Sequence, residues 1–161
     1  MNTDLATPTT SSGRRAHDSE LSGGIVAAAI VGATALLVSG WVHFYLYFRG
    51  GYRGIALDSV LGLNISRSFA LNAIAAVVIA EAVILGLRYR ALLLPAAAVG
   101  VGFAVATLVA YFLSRTRGLL GFKETATTTE AVIGMVSEGV IVLTLVPVVI
   151  RELRARRRPA R

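Results

Sequence analysis

The run GIVAAAIVGATALLVSGWVHFYLYF, residues 24–48, decides the fold class of this chain. It carries no Asp, Glu, Lys or Arg, and a helix of roughly 20 largely apolar residues is enough to cross a bilayer. Three further runs of similar character lie near residues 68–87, 91–113 and 131–150. The hydrophobic share of 55% over 161 residues leaves little chain for a soluble domain. The sequence therefore predicts an all-α protein, a bundle of four transmembrane helices.

Polar segments flank these runs and divide the chain into three parts. Residues 1–22 are rich in Ser, Thr, Gly and Pro, which predicts a disordered cytoplasmic tail. Residues 23–150 hold the four-helix transmembrane domain, and residues 151–161 form a basic cytoplasmic tail. Arg14 and Arg15 resemble a twin-arginine signal, but the following apolar run exceeds the roughly 7–15 residues of a cleavable signal core. We therefore expect an uncleaved first helix.

The distribution of Lys and Arg predicts the orientation. Ten of the 16 basic residues lie in the terminal segments and the turn at 88–90, and six lie in the loops 49–67 and 114–130. Because cytoplasmic segments carry the excess of Lys and Arg, both termini should face the cytoplasm of a bacterial plasma membrane. Near the membrane surface each basic residue of the tail would contribute about 1 kcal/mol of attraction to anionic headgroups. The candidates for this contact are Arg154, Arg156, Arg157 and Arg158.

The composition also excludes several classes of site. Cys is absent, so the chain has no disulfide, thiol nucleophile or thiolate metal site. The net charge of +7 does not indicate nucleic-acid binding, because six basic residues are concentrated in the last eleven positions beside a membrane helix. The second histidine, His17, lies in the polar tail, which argues against a haem held by two histidines of one chain. No compact metal-ligand spacing occurs, so we predict no metal and no cofactor.

Two glutamates interrupt the apolar runs, Glu81 in VVIAEAVIL and Glu138 in GMVSEGVIVL. An acidic residue at the bilayer centre opposes insertion by roughly 2.5–3.5 kcal/mol. We expect both to point inward, and the helical rise places them at levels that differ by roughly 7 Å, close enough for a contact directly or through one water. Arg67, Ile74, Glu81 and Arg88 share one face of the second helix. The pair would be either neutral carboxyls that fix the bundle geometry or a site for a proton or cation.

His43, near the outer end of the first helix, allows two interpretations. It would be structural as a member of an aromatic belt with Trp41, Tyr45, Tyr47 and Tyr52. Alternatively, its imidazole would act as a ligand or proton relay. The outer loops are apolar enough to lie in the membrane interface, and four residues in or beside them are candidates for the mouth of the bundle. These are Tyr52, Arg53, Arg67 and Glu124.

Local patterns predict two details of the helices. Small residues recur at every fourth position of the third helix, which is typical of a close-packing face in membranes. They are Ala98, Gly102, Ala106 and Ala110. Thr127 and Glu130 have the spacing of a capping box, which predicts the start of the fourth helix.

The order of these motifs resembles that of small four-helix membrane proteins of high-GC Gram-positive bacteria. The resemblance covers about residues 24–150 and rests on four features: His43, the segment Gly51-Tyr52-Arg53, the stretch GLLGFKE at 118–124, and Glu138. It implies a membrane bundle and no particular activity. A looser resemblance to DoxX-like proteins, a four-helix class linked to quinone and redox metabolism, implies a respiratory accessory role.

These observations favour a non-catalytic accessory or scaffold subunit of a larger membrane assembly, because the chain is small and shows no catalytic constellation. The first alternative is a proton-coupled small transporter that works as a homo-oligomer through Glu81 and Glu138. The second is a quinone-associated redox subunit, with His43 and the outer aromatic rings around the headgroup. The expected partners are the lipid bilayer and either other membrane subunits or further copies of the chain, without nucleic acid.

Overall fold

Four long helices make up most of the structure, a computed structural model that describes residues 21–55, 60 and 62–157. They are α1 (Gly23–Phe48), α2 (Ile65–Arg88), α3 (Arg90–Thr116) and α4 (Thr129–Arg157). Each is long and apolar enough to cross a membrane, which confirms the predicted all-α fold with four spanning helices. Helix α4 continues beyond the predicted end of its apolar run, through Arg157. The predicted N-terminal tail lies almost wholly outside the described residues.

The helices form a closed ring in chain order. Helix α1 packs against α2 and α4, and α3 completes the ring through contacts with the same two helices. Tyr89 alone separates α2 from α3, so these two form the tight antiparallel hairpin that short connections between helices produce. We call the end of the bundle that carries the hairpin turn at Tyr89 the inner end. The opposite end, with the loops after α1 and α3, is the outer end.

Glycines allow the helices to approach closely in the inner half of the bundle. A Cβ added at Gly86 would lie 2.7 Å from Leu93 Cα, and one added at Gly32 would lie 2.5 Å from Leu145 Cδ2. Large aliphatic side chains with less than 2% exposure fill the space between these contacts. They are Leu36, Val83, Leu93, Ile141, Leu145 and Val148. The inner half is therefore a close-packed apolar core.

The packing face of α3 differs from the predicted one. Ala98, Gly102 and Ala106 are exposed on the outside of the bundle, whereas Ala97, Gly100 and Ala104 are buried. Small residues occur on more than one face of α3, so their spacing alone does not select the face that meets α2. The hairpin at Tyr89 selects it, because it brings Leu93 against Gly86. The predicted stripe is therefore wrong as the packing face within this chain, apart from Ala110, which is half-buried and lines the outer cavity.

Two loop segments fold over the outer end. After α1, Gly51 has φ 83°, and the chain turns into a short 3₁₀-helix, Tyr52–Gly54. After α3, Leu119 and Phe122 exchange backbone hydrogen bonds of 2.7 and 2.9 Å around a tight turn. Leu120 at φ 51° and Gly121 at φ 73° form that turn, which needs positive φ at both central positions. Both turns place an aromatic ring over the bundle.

The cap of α4 differs by one residue from the predicted box. Thr128 Oγ1 accepts a hydrogen bond of 3.2 Å from Ala131 N, so Thr128 and not Thr127 is the N-cap. Glu130 consequently lies in the first helical turn, where a negative charge is stabilised by the helix dipole.

Candidate functional site

A cavity of about 130 Å³ lies in the outer half of the bundle, between all four helices and the two outer loops. His43 and Glu138 form its base, and Phe69, Asn72 and Tyr111 contribute to its walls. The outer loops border it with Tyr52, Phe122 and Glu124, and we call this side the roof. An apolar cavity of roughly 150 Å³ accommodates benzene, so this one suits a small molecule of that size.

At the base of the cavity, His43 and Glu138 form a buried hydrogen-bonded group with Ser39, which lies behind them. Ser39 is 0% exposed, Glu138 2% and His43 8%. Ser39 Oγ donates to Glu138 Oε1 at 3.4 Å, and His43 Nδ1 lies 2.9 Å from the Ser39 carbonyl oxygen one helical turn earlier. A carbonyl oxygen only accepts, so Nδ1 must carry a proton, and Nε2 of the neutral ring is then an acceptor. The base is therefore rich in acceptors.

Glu138 has spare hydrogen-bonding capacity. Among the described residues, its only hydrogen-bond donor is Ser39, at a distance well beyond the usual 2.7–2.8 Å of an O–H···O bond. Glu138 takes part in no ion pair among the described residues, whereas Glu152 pairs with Arg90 and Arg151. Buried polar groups in folded proteins normally have partners, because burial without them is unfavourable. The carboxyl of Glu138 is therefore a group to which a ligand in the cavity can donate.

Tyr52 connects the two outer loops above this base. Its ring stacks on Phe69 with 4.4 Å between centroids and meets the edge of Phe122 at 5.5 Å. Its hydroxyl donates to Glu124 Oε2 at 2.8 Å, while Glu124 Oε1 accepts from Ala126 N at 3.0 Å. Burial, and then the hydrogen bond to Glu124, raise the pKa of Tyr52 above its usual value. The hydroxyl therefore remains a donor at neutral pH and holds the roof in place.

The lining of the cavity is acidic and aromatic. Three of the nine acidic residues of the chain line it, whereas no Lys or Arg is among its described lining residues. The chain as a whole has a net charge of +7, so the acidic lining does not follow from the composition. Four aromatic rings accompany the three carboxyls. The acids are Glu124, Glu130 and Glu138, and the rings belong to Tyr52, Phe69, Tyr111 and Phe122.

Glu81 does not belong to this site, and the prediction that it points inward is wrong. It is exposed on the outer face of α2, as are Arg67, Ile74 and Arg88 of the predicted stripe. The face of α2 that packs is instead the one with Ala76, Ala80 and Val83. The four residues do share one face of α2, as predicted, but that face is the exposed one. The small residues of α2 pack closely against the other helices, and this packing determines which face is buried although Glu81 then lies outside.

Glu81 and Glu138 also lie at different depths. Ile79 and Leu145 both lie within 3.4 Å of a Cβ added at Gly100, so they share a level. Glu81 follows Ile79 towards the inner end by two residues, and Glu138 precedes Leu145 towards the outer end by seven. With a rise of 1.5 Å per residue, the two glutamates are roughly 13 Å apart along the bundle axis. The predicted direct or water-bridged pair is therefore not formed.

The other outer candidates separate into two groups. Tyr52 and Glu124 line the cavity, but Arg53 and Arg67 do not. The guanidinium of Arg53 lies 5.7 Å from the Phe48 ring centroid, and Arg67 Nη1 donates to the Gly62 carbonyl oxygen. The predicted aromatic belt also divides into exposed residues and residues that line the cavity. Trp41 and Tyr45 are 65% and 40% exposed, whereas His43 is buried on the opposite face of α1.

The end of α4 carries the arginines predicted to contact lipid headgroups, and it also contains a buried ion-pair cluster around Glu152. Arg154, Arg156 and Arg157 are exposed in the last turns of α4, and Arg158 lies outside the described residues. Glu152, which the sequence analysis missed, is 4% exposed and pairs with Arg90 at 3.0 Å and with Arg151 at 3.7 Å. This cluster joins the start of α3 to the end of α4. Its position in an arginine-rich segment made Glu152 resemble an ordinary tail residue.

Phe69 and Asn72 line the cavity and Ser39 donates to Glu138 behind it, and none of the three was predicted from the sequence. Ser39 could have been found from its spacing, because residues four apart in a helix share a face and Ser39 precedes His43 by four. Among the described residues, no group of three or more His, Cys, Asp or Glu side chains is arranged to hold a metal ion.

The four features that carry the family resemblance meet at the cavity. His43 and Glu138 lie at its base, Tyr52 belongs to the first outer loop, and Phe122 and Glu124 belong to the second. Comparison with known proteins found no matching family model, no matching curated protein and no matching solved structure.

Proposed function

We propose that the protein is a membrane-embedded binding subunit that takes a small organic cation into the outer cavity. The observation that carries this proposal is the lining of the cavity, with three carboxyls, four aromatic rings and no Lys or Arg among the described lining residues. An acidic cleft with apolar walls attracts cations by focusing the field of its charges. The supporting group is Glu138, which is buried and has a single, long hydrogen bond.

The two kinds of lining group recognise different parts of an organic cation. Aromatic faces attract a cation by about 0.5–2 kcal/mol each, which suits an alkylated ammonium group against the aromatic lining of the cavity. The carboxyl of Glu138 provides the counter-charge, and the acceptor nitrogen of His43 can receive a hydrogen bond from an N–H or O–H group of the ligand. The size of the cavity limits the ligand to a small amine or quaternary ammonium compound.

The base of the cavity is less suited to a quinone, although Asn72 and Tyr111 in the walls carry donor groups. Quinone oxygens accept hydrogen bonds, so a quinone headgroup needs donors. The Nδ1 proton of His43 is directed to the Ser39 carbonyl oxygen, and the hydroxyl proton of Tyr52 is directed to Glu124. The acceptor-rich base favours a ligand that donates or carries positive charge.

The positions of Glu81 and Glu138 do not support the alternative of a proton-coupled transporter. A relay through Glu81 and Glu138 requires the two carboxyls to communicate, but they lie at different depths, with Glu81 exposed on the outside of the bundle and Glu138 buried inside it. Below Glu138 the core consists of buried aliphatic side chains such as Leu36, Leu145 and Val148. We therefore place ligand binding, and not transmembrane proton conduction, at the centre of the proposal. A role as an accessory subunit is compatible with it, in a bacterial plasma membrane with both termini cytoplasmic.

Calorimetric titration of the protein in lipid nanodiscs tests the proposal, with choline as the probe. Choline should bind the parent, and its uncharged carbon analogue should bind at least tenfold more weakly, because the two have the same shape and only choline has the charge. Glu138→Gln should weaken choline binding at least tenfold. Glu81→Gln is the matched control, since it makes the same change on the outer surface, and it should leave the affinity unchanged.

Two results would contradict the proposal. The first is equal affinity for choline and its uncharged analogue, which would mean that the carboxyls do not select for charge. The second is unchanged choline binding by the Glu138→Gln protein. A short-chain quinone in the same titration provides the comparison with the redox alternative, and tighter binding of that quinone than of choline would favour a redox-associated subunit.

A further inference from the structure

The exposed face of α2 carries a regular seam of side chains. Their spacing alternates between three and four residues, the repeat that lets two helices pack along their length with a small left-handed crossing angle. The aliphatic members are between 50% and 63% exposed. The α2 seam consists of Leu71, Ile74, Val78, Glu81, Leu85 and Arg88.

Glu81 distinguishes this face from the other lipid-facing surfaces. Among the described residues, only Glu81 and Glu138 are charged and lie more than six positions from the end of their helix. Glu138 is enclosed by the bundle, whereas Glu81 is exposed and has no hydrogen bond or ion pair with any described side chain. Hydrocarbon offers no partner for a carboxyl, so an acidic residue at this depth normally faces protein or water.

A second copy of the chain supplies what Glu81 lacks. A protonated carboxyl has one donor and acceptor capacity, so two such groups satisfy each other when they meet. A twofold axis along the membrane normal would place the same residue of both copies at the same depth, because such an interface joins identical patches. The aliphatic seam residues on both sides of Glu81 would then pack against their equivalents and exclude lipid.

We infer that two copies of the chain associate in parallel through the α2 seam, with the Glu81 side chains facing each other at the twofold axis. This inference is independent of the proposed cation binding, since the seam and the cavity share no residue. It specifies the homo-oligomer that the sequence left as one of two kinds of partner.

Disulfide cross-linking tests this arrangement without background, because the natural chain contains no Cys. Val78→Cys places a thiol in the seam next to Glu81. Val99→Cys on α3 and Leu143→Cys on α4 are controls at nearly the same depth, since Ile79, Gly100 and Leu145 share a level. Val99 is 56% exposed and Val78 57%, so these two positions are matched in residue type and exposure.

In native membranes under mild oxidation, the Val78→Cys protein should form a species of twice the 16.9 kDa chain mass, at least fivefold more abundant than for either control. Adding Glu81→Leu should reduce this product at least threefold. Adding Glu81→Gln should retain it, because an amide also donates and accepts. Equal cross-linking at all three positions, or none at Val78→Cys, would overturn the inference. A product between Val78→Cys and a different protein would also overturn it, by showing that another subunit covers the seam.

Discussion

Replacing Tyr52 by Phe tests how the two outer loops hold the roof of the cavity. The change removes the hydroxyl that donates to Glu124 Oε2 at 2.8 Å and leaves the ring, which stacks on Phe69 at 4.4 Å. A hydrogen bond to a charged group contributes about 1.5–3 kcal/mol when buried. Tyr52 and Glu124 are only partly buried, so screening by water reduces the expected loss to about 1 kcal/mol. Denaturant titration in detergent micelles measures the free energy of unfolding.

A double-mutant cycle separates the hydrogen bond from other effects of the substitution. Tyr52→Phe, Glu124→Ala and the double variant should show a coupling energy of about 1 kcal/mol, because each single change already removes the bond. Tyr45→Phe is the control, since Tyr45 is 40% exposed on the outer surface of α1. Its effect on unfolding should stay within about 0.5 kcal/mol.

The same bond gives a pH dependence of known sign. Burial, and then the hydrogen bond to Glu124, raise the pKa of Tyr52 in the folded protein above the ordinary value near 10. The folded state therefore binds this proton more tightly than the unfolded state does. The resulting stabilisation is complete below about pH 10 and is lost as the pH rises further. The parent should lose more stability in that range than the Tyr52→Phe protein does. Equal alkaline losses together with a coupling energy near zero would refute the role assigned to the Tyr52–Glu124 bond.

The inner half of the bundle yields two further predictions. Gly86→Ala should lower the free energy of unfolding by about 1–2 kcal/mol, because the new Cβ would lie 2.7 Å from the Leu93 backbone. Gly102→Ala, with no atom within 4 Å of its added Cβ, should be neutral or stabilising by up to about 1 kcal/mol, and the opposite order of the two would contradict the helix packing. Arg90→Gln should lower the free energy of unfolding by about 1–2 kcal/mol, because it removes the ion-pair partner that lies 3.0 Å from the buried Glu152 carboxyl. The expected loss is at the lower end for a buried ion pair because the Arg90 side chain is 38% exposed to water. The double variant with Glu152→Gln should recover part of this loss, and an unchanged loss would argue against the ion pair.

The sequence predicted the number of helices and their approximate positions, apart from the last turns of α4, because the membrane leaves few alternatives. Long apolar runs must satisfy their backbone hydrogen bonds internally, and the helix does so within one segment. It was harder to predict which face of each helix points towards lipid and which points towards the core. Apolar side chains such as Ile74 and Ile79 suit both lipid and the core, so their pattern gives little contrast between outside and inside. Glu81 and the small residues around Gly102 were assigned to the wrong face for this reason.

The candidate site was predicted in part, for a related reason. His43 and Glu138 stood out because polar residues are rare in apolar runs, and Tyr52 and Glu124 stood out because they belong to unusual loops. Their convergence depends on the turn after Gly51 and on the turn at Leu120 and Gly121, both of which require positive φ. Phe69 could not be distinguished from a lipid-facing residue until the packing of α1 against α2 was known.

A crystal structure with a quaternary arsonium cation would locate the bound ligand, because arsenic scatters X-rays anomalously. If the cavity binds cations, one strong anomalous peak will lie inside it, between its aromatic lining and the Glu138 carboxyl, and no such peak will appear in Glu138→Gln crystals. A saturated crystal whose cavity shows no anomalous peak, or whose peak persists unchanged without the Glu138 carboxylate, would contradict cation binding in the cavity.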